Sequence, residues 1–262
     1  MIISERVKKL RKESLDAVET LSAERAQLIT MFYKSDAARE LSSPVKRARA
    51  FEFLLKNKAL YIGEGELIVG ERGPAPKQTP SYPEVSLHSL EDLDILNKRE
   101  KVSFLVTEEV RNIYREQIIP YWKGRSNRDR IMDLMAPEWH KAYNAGIFTE
   151  FQEQRAPGHT VAGYKIFTKG FLDLKDEISK SIAHIDYLND PLAYNKYEEL
   201  KAMNIAADAI IMYAERYAVE LDNLALKEDD PVRKNELTRM AEICRKVPAH
   251  APGTVHEMLQ HY

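Results

Sequence analysis

From Tyr194 to Leu226 the chain sustains a helical hydrophobic period, with Leu200, Met203, Ile205, Ala209, Ile210, Tyr213 and Tyr217 recurring three or four residues apart. This run commits the chain to a mainly helical architecture. Other segments agree with it. Helices are expected over about Ser4 to Ala17, after Ser22, and from Ser43-Pro44 towards Ala59, where the serine caps and the proline suits a first turn. Further helices start near Ser89, at Thr107-Glu108-Glu109, over Asn127 to Leu134, and from Pro137 to Gly146. Pro120, Trp122 and Gly124 are expected to end the one that begins at Thr107. Beyond the middle of the chain come Phe171 to Tyr187, the long run itself, Asp230-Pro231 to Cys244, and a last helix opened by a Thr254-Val255-His256-Glu257 capping box. Glu66 to Gly70 is a short apolar run between glycines and reads as a buried strand or strand-like segment. The expected fold is mainly α with a few short strands.

Composition narrows the function. The 262 residues carry 44% hydrophobic and 31% charged residues, enough for a core in a soluble protein, and the net charge of −2 gives no bulk attraction to nucleic acid or a membrane surface. No apolar run is long enough to span a bilayer, and the N-terminus has no apolar signal segment after its charges. A single cysteine, Cys244, excludes an internal disulfide and any multi-cysteine metal site. A cytoplasmic protein is expected. The last helix has about two turns before Tyr262 and no C-cap, and is expected to be cut rather than finished.

The densest collection of chemistry is Phe148 to Tyr164, FTEFQEQRAPGHTVAGY. Pro157-Gly158 breaks any helix there, so the polar residues after it sit on a turn, where a rigid scaffold tends to hold binding groups. His159 offers one ring nitrogen as donor and the other as acceptor. Phe151 offers an apolar face, while Phe148 and Phe167 are expected in the core. Arg155 suits a substrate carboxylate, or an ion pair with Glu150 or Glu153, and Thr160 is small and polar beside the histidine. Cys244 lies next to Arg245 and Lys246, which would lower its pKa; a buried inert thiol is the simpler reading. Arg125, Arg128 and Arg130 read as a solvated basic face, and His256 and His261 are misplaced for a metal pair.

Several stretches resemble one family. ELIVGERG (Glu66 to Gly73), EEVRNIYREQIIPYWKGRS (Glu108 to Ser126), EFQEQRAPGHTVAGY (Glu150 to Tyr164) and VPAHAPGTVHEMLQHY (Val247 to Tyr262) are similar, in order, to the N-terminal region of the pyruvate formate-lyase-like glycyl radical enzymes, and most resemble the trans-4-hydroxy-L-proline dehydratases. The resemblance implies that residues 1–262 are an incomplete helical region of the N-terminal part of a ten-stranded α/β barrel. It implies an anaerobic dehydratase or lyase whose organic radical sits on a glycine, installed by a radical S-adenosylmethionine activating enzyme. It also implies a small hydroxylated substrate and a homodimer. On matching positions, His159 would hydrogen-bond the hydroxyl that leaves and Phe151 would lie against the substrate ring, with Thr160 and Arg155 nearby. Neither the radical glycine motif nor the family's cysteine loop is found, and Cys244 stands in a different context. The isolated chain is therefore expected to be an inactive fragment that binds no cofactor. The other reading is a free-standing helical binding or scaffold module from a truncated or split gene.

Overall fold

The computed structural model describes residues 3–148 and 163–262. Helices α1 (Glu5–Asp16), α2 (Glu24–Lys34) and α3 (Ser43–Asn57) begin the chain, with a strand β1 (Thr20–Ser22) between the first two. Strand β2 (Gln78–Pro80) pairs with β1 in parallel, Leu21 opposite Thr79. Then follow α4 (Leu90–Lys98), α5 (Glu108–Ile113), a π-helical turn (Tyr114–Ile118), α6 (Ile119–Trp122), α7 (Asn127–Leu134) and α8 (Pro137–Asn144). The final part is α9 (Phe171–Ala183), α10 (Ala193–Lys227), α11 (Pro231–Lys246) and α12 (Val255–His261). The mainly helical fold with a few short strands is as expected.

The long helix is the spine. α10 packs against α3, α9 and α11. Its buried face is made largely of alanines: Ala202, Ala207, Ala209, Ala218 and Ala225 lie with Ile205, Tyr217 and Leu221 in the seams. Small side chains let neighbouring helices approach closely, which a count of large apolar residues does not register. Met203, part of the expected stripe, is 54% exposed. A second core forms where α2, α4 and the α5–α6 region meet around Tyr114, Ile118 and Trp122. The Trp122 Nε1–H donates to Thr30 Oγ1 at 2.9 Å, and that hydroxyl donates on to the Ala26 carbonyl.

Two boundaries differ from expectation for local physical reasons. Pro120 does not stop its helix. The chain passes it through the π turn at Tyr114–Ile118, which accommodates the carbonyl that a proline ring would strike. α9 ends at Ala183 rather than Tyr187, because the Asp186 carboxylate accepts the N–H groups of Leu188 and Asn189 at 3.0 Å and turns the chain. The Glu66–Gly70 run is strand-like without being a strand, and Leu67 and Ile68 are exposed. Val69 is buried, but its N–H and C=O pair with the side-chain amide of Gln260, each at 2.9 Å. One glutamine supplies what a neighbouring strand would have supplied.

That extended segment is pinned along its length. Arg233 donates to the carbonyls of Glu66 and Gly63, and Lys58 to those of Glu71 and Arg72. His256 donates to the Leu67 carbonyl at 2.6 Å. Irregular backbone is held in place by cationic and amide side chains from α11, α12 and the end of α3.

Candidate functional site

The four residues singled out in the sequence, Phe151, Arg155, His159 and Thr160, lie outside the described residues. The two ends of their segment are placed. On the near side, Phe148 packs on Trp139 at 5.4 Å and on Tyr143 at 5.7 Å between ring centroids, an aromatic stem at the end of α8. On the far side Ile166 is buried, whereas Phe167, expected in the core, is half exposed against Tyr164. A single helical turn offers the core only part of its circumference, and Ile166 occupies it.

Beyond this turn the chain is fastened to the segment after α11. Phe171 and Leu172 donate their N–H groups to the carbonyls of Pro248 and Ala249 at 2.9 and 3.0 Å. Gly170 makes the approach possible: a Cβ there would lie 2.2 Å from the Ala249 oxygen. The residues just after the 148–164 segment, Lys165 and Ile166, line a cavity of about 370 Å³. Ile166, Phe171, Tyr213, Tyr217, Cys244 and Val247 line its walls, with His261 near its edge. Tyr213 and Tyr217 read in the sequence only as helical core positions; their four-residue spacing packs two rings edge to face on one side of the helix, 5.1 Å apart.

Lys165 and Lys169 are the cations among the cavity's lining residues. Burial pushes both tyrosine hydroxyls above their usual range, so they are protonated at neutral pH. Burial also pushes the Cys244 thiol up to about 12. The adjacent Arg245, which would oppose that shift, is turned to Asp222 and Glu215. Burial lowers the His261 pKa, so its ring is neutral at pH 7. Its Nδ1 is buried without a partner among the described residues. Lys169 at the rim is paired with Glu177. Such a surface can hold neutral or apolar groups. Cys244 has neither the exposure nor the ionisation of a nucleophilic thiol.

No set of three histidine, cysteine, aspartate or glutamate side chains among the described residues is arranged to hold a metal ion. No described helix is long and apolar enough to cross a membrane. The basic run is solvated as expected at Arg125 and Arg130, which are exposed, while Arg128 is half-buried. Arg125 lies over the Tyr121 ring at 4.7 Å, and Arg128 donates to the Tyr143 hydroxyl at 3.1 Å.

The sequence matches the pyruvate formate lyase-like family over residues 3–262. The chain belongs to that family. It is 48% identical, over 98% of its length, to the trans-4-hydroxy-L-proline dehydratase of Clostridioides difficile. It superposes with a TM-score of 0.94 on the crystal structure of the hydroxyproline dehydratase of that organism with trans-4-hydroxy-L-proline bound, covering all of this chain and 33% of that one. A glycyl radical enzyme from Archaeoglobus fulgidus superposes with a TM-score of 0.85 at 31% identity, covering 98% of this chain and 33% of that one. The chain spans about a third of the length of these relatives.

Proposed function

We propose that this chain forms the N-terminal third of a glycyl radical dehydratase that eliminates water from trans-4-hydroxy-L-proline. The observation that carries the reading is the 48% identity, over nearly the whole chain, to a trans-4-hydroxy-L-proline dehydratase. Hydrogen abstraction would be supplied by a glycyl radical and a partner cysteine in sequence beyond these residues, after installation by a radical S-adenosylmethionine activating enzyme. Cys244 is not assigned the role of that cysteine, because its EICRKVPAH setting does not match the family's cysteine loop.

The contribution of this chain is to bind and orient. His159 hydrogen-bonds the substrate hydroxyl and assists its departure as water. Phe151 packs on the apolar ring atoms, Thr160 supports the histidine, and Arg155 meets the substrate carboxylate. The complete enzyme works in the cytoplasm under anaerobic conditions, as a homodimer.

The test is anaerobic expression of this chain continuous with its downstream sequence, together with an activating enzyme. An organic radical signal and a pyrroline carboxylate product from hydroxyproline are expected. His159→Gln should lower turnover by roughly 10²-fold or more with the radical signal intact. Turnover of a diol but not of hydroxyproline would overturn the substrate assignment. Turnover by the 262-residue chain alone would overturn the division of labour.

A further inference from the structure

The ends of α2 and α6 and the start of α3 meet at an open cleft of about 410 Å³. It is lined by Lys34, Arg39, Lys46 and Arg125 together with Tyr33 and Tyr121. Arg39 is engaged with Asp36 at 3.0 Å. Among the described residues, Lys34, Lys46 and Arg125 have no carboxylate within ion-pairing distance. Lys46 is half-buried, and Lys34 and Arg125 are exposed at the cleft mouth.

Two of the three unpaired cations converge on a single ring. The Arg125 guanidinium lies 4.7 Å from the centroid of Tyr121 and the Lys34 ammonium 5.6 Å from it. The ring is fixed from behind. Its hydroxyl donates to the Tyr33 carbonyl at 3.1 Å, and Trp122 packs edge-on against both tyrosines, at 5.1 and 5.4 Å. Like charges held together on a rigid floor repel one another. The C-terminal dipole of α2 offsets about half of one charge. The cleft therefore has an uncompensated positive potential in a chain whose net charge is −2.

We propose that this cleft binds a small phosphate-bearing anion. A phosphate monoester or pyrophosphate brings two or more charges and several acceptor oxygens, matching three donors, whereas a lone carboxylate would neutralise one of them. The volume admits a small organic phosphate, with Tyr33 and Tyr121 walling its apolar part. This site is independent of the dehydratase reading and stands or falls separately.

The test uses Trp122 as reporter, packed against Tyr121, in the 262-residue chain carrying Trp139→Phe. Inorganic pyrophosphate is titrated at physiological ionic strength, with potassium chloride at matched ionic strength as control. A saturable change in fluorescence with a half-point below about 1 mM is expected. Lys46→Ala combined with Arg125→Ala should weaken it by about tenfold or more, with the circular dichroism unchanged, while Arg130→Ala leaves it in place. A linear response, an equal response to chloride, or undiminished binding by the double variant overturns the proposal.

Discussion

Replacing Gly170 by alanine tests how the cavity beside the focal segment is held together. The glycine has an ordinary φ of −99°, so alanine is not penalised by backbone conformation. Its cost is steric. The added Cβ would stand 2.2 Å from the Ala249 carbonyl oxygen and 2.4 Å from the His250 Cα, against a comfortable separation of roughly 3.5 Å. Both neighbours are backbone, so relief requires moving the start of α9 away from the 248–250 segment by about 1 Å. Overpacking of this kind costs about 1–3 kcal/mol. The hydrogen bonds from Phe171 and Leu172 stretch with the movement, for up to about 1 kcal/mol more. A total of about 2–4 kcal/mol corresponds to a rise of about 30- to 1,000-fold in the opening equilibrium around the cavity. Cys244 reports that opening, because a thiol 3% exposed and protonated is alkylated only when the structure opens. Its labelling rate under native conditions should rise by that factor in Gly170→Ala. Gly146→Ala is the control. It has open space but a φ of +71°, and it lies at the end of α8, so it should strain its own turn and leave Cys244 labelling unchanged. A Gly170→Ala rate within about threefold of the parent's would refute the close-approach argument.

Gln260→Ala removes both hydrogen bonds that hold Val69 and should loosen the extended segment by about 1–3 kcal/mol, measured as faster tryptic cleavage after Arg72. Glu257 is tied to the Lys246 ammonium and to the Gly253 N–H, and these hold its carboxyl below its ordinary value near 4.5. A depressed carboxyl contributes stability that is present above that ordinary value and is lost as pH falls through the folded-state value. Glu257→Gln should therefore lower stability at pH 7 and flatten the acid side of the stability profile, read by urea midpoints between about pH 6 and pH 3. A profile parallel to the parent's would show that the contacts contribute nothing.

Five helix starts were legible because they are written within four residues, whereas at α3 the expected cap Ser43 is already helical and Ser42 precedes it without a side-chain cap bond, its hydroxyl being turned to Glu198. The side chains of Ser89, Thr107, Ser126, Asp230 and Thr254 each accept the backbone N–H bond that their position in the sequence implies. Thr254 shows how context modifies such a rule. Its hydroxyl accepts from the Glu257 N–H, but the Glu257 carboxylate reaches to Gly253 rather than back to the cap. What was not legible depends on partners far along the chain. Val69 and Gln260 are 191 residues apart, and no local pattern shows that a side-chain amide replaces a strand. The pairing of β1 with β2 joins two three-residue stretches with no alternation to read. The family and its N-terminal placement came from ordered motifs, whereas the cavity came only from packing, where alanines and two tyrosines on α10 meet α9 and α11.

Whether the one thiol reacts as a nucleophile is decided by its burial. A thiol with its pKa raised to about 12 is ionised to roughly one part in 10⁵ at pH 7. It packs in the core seam of α10 and α11 with Leu221, Leu237 and Met240. In the complete enzyme, Cys244→Ala should therefore cost stability through a small cavity, about 1–2 kcal/mol, and leave turnover per radical unchanged once folded protein is compared with folded protein. Radical content by paramagnetic resonance separates the two effects, since a packing defect lowers the yield of enzyme and leaves each radical as productive as before. A folded Cys244→Ala enzyme with full radical content and no turnover would place this cysteine in the reaction after all, and would reverse the assignment of the cavity from holding surface to reactive centre.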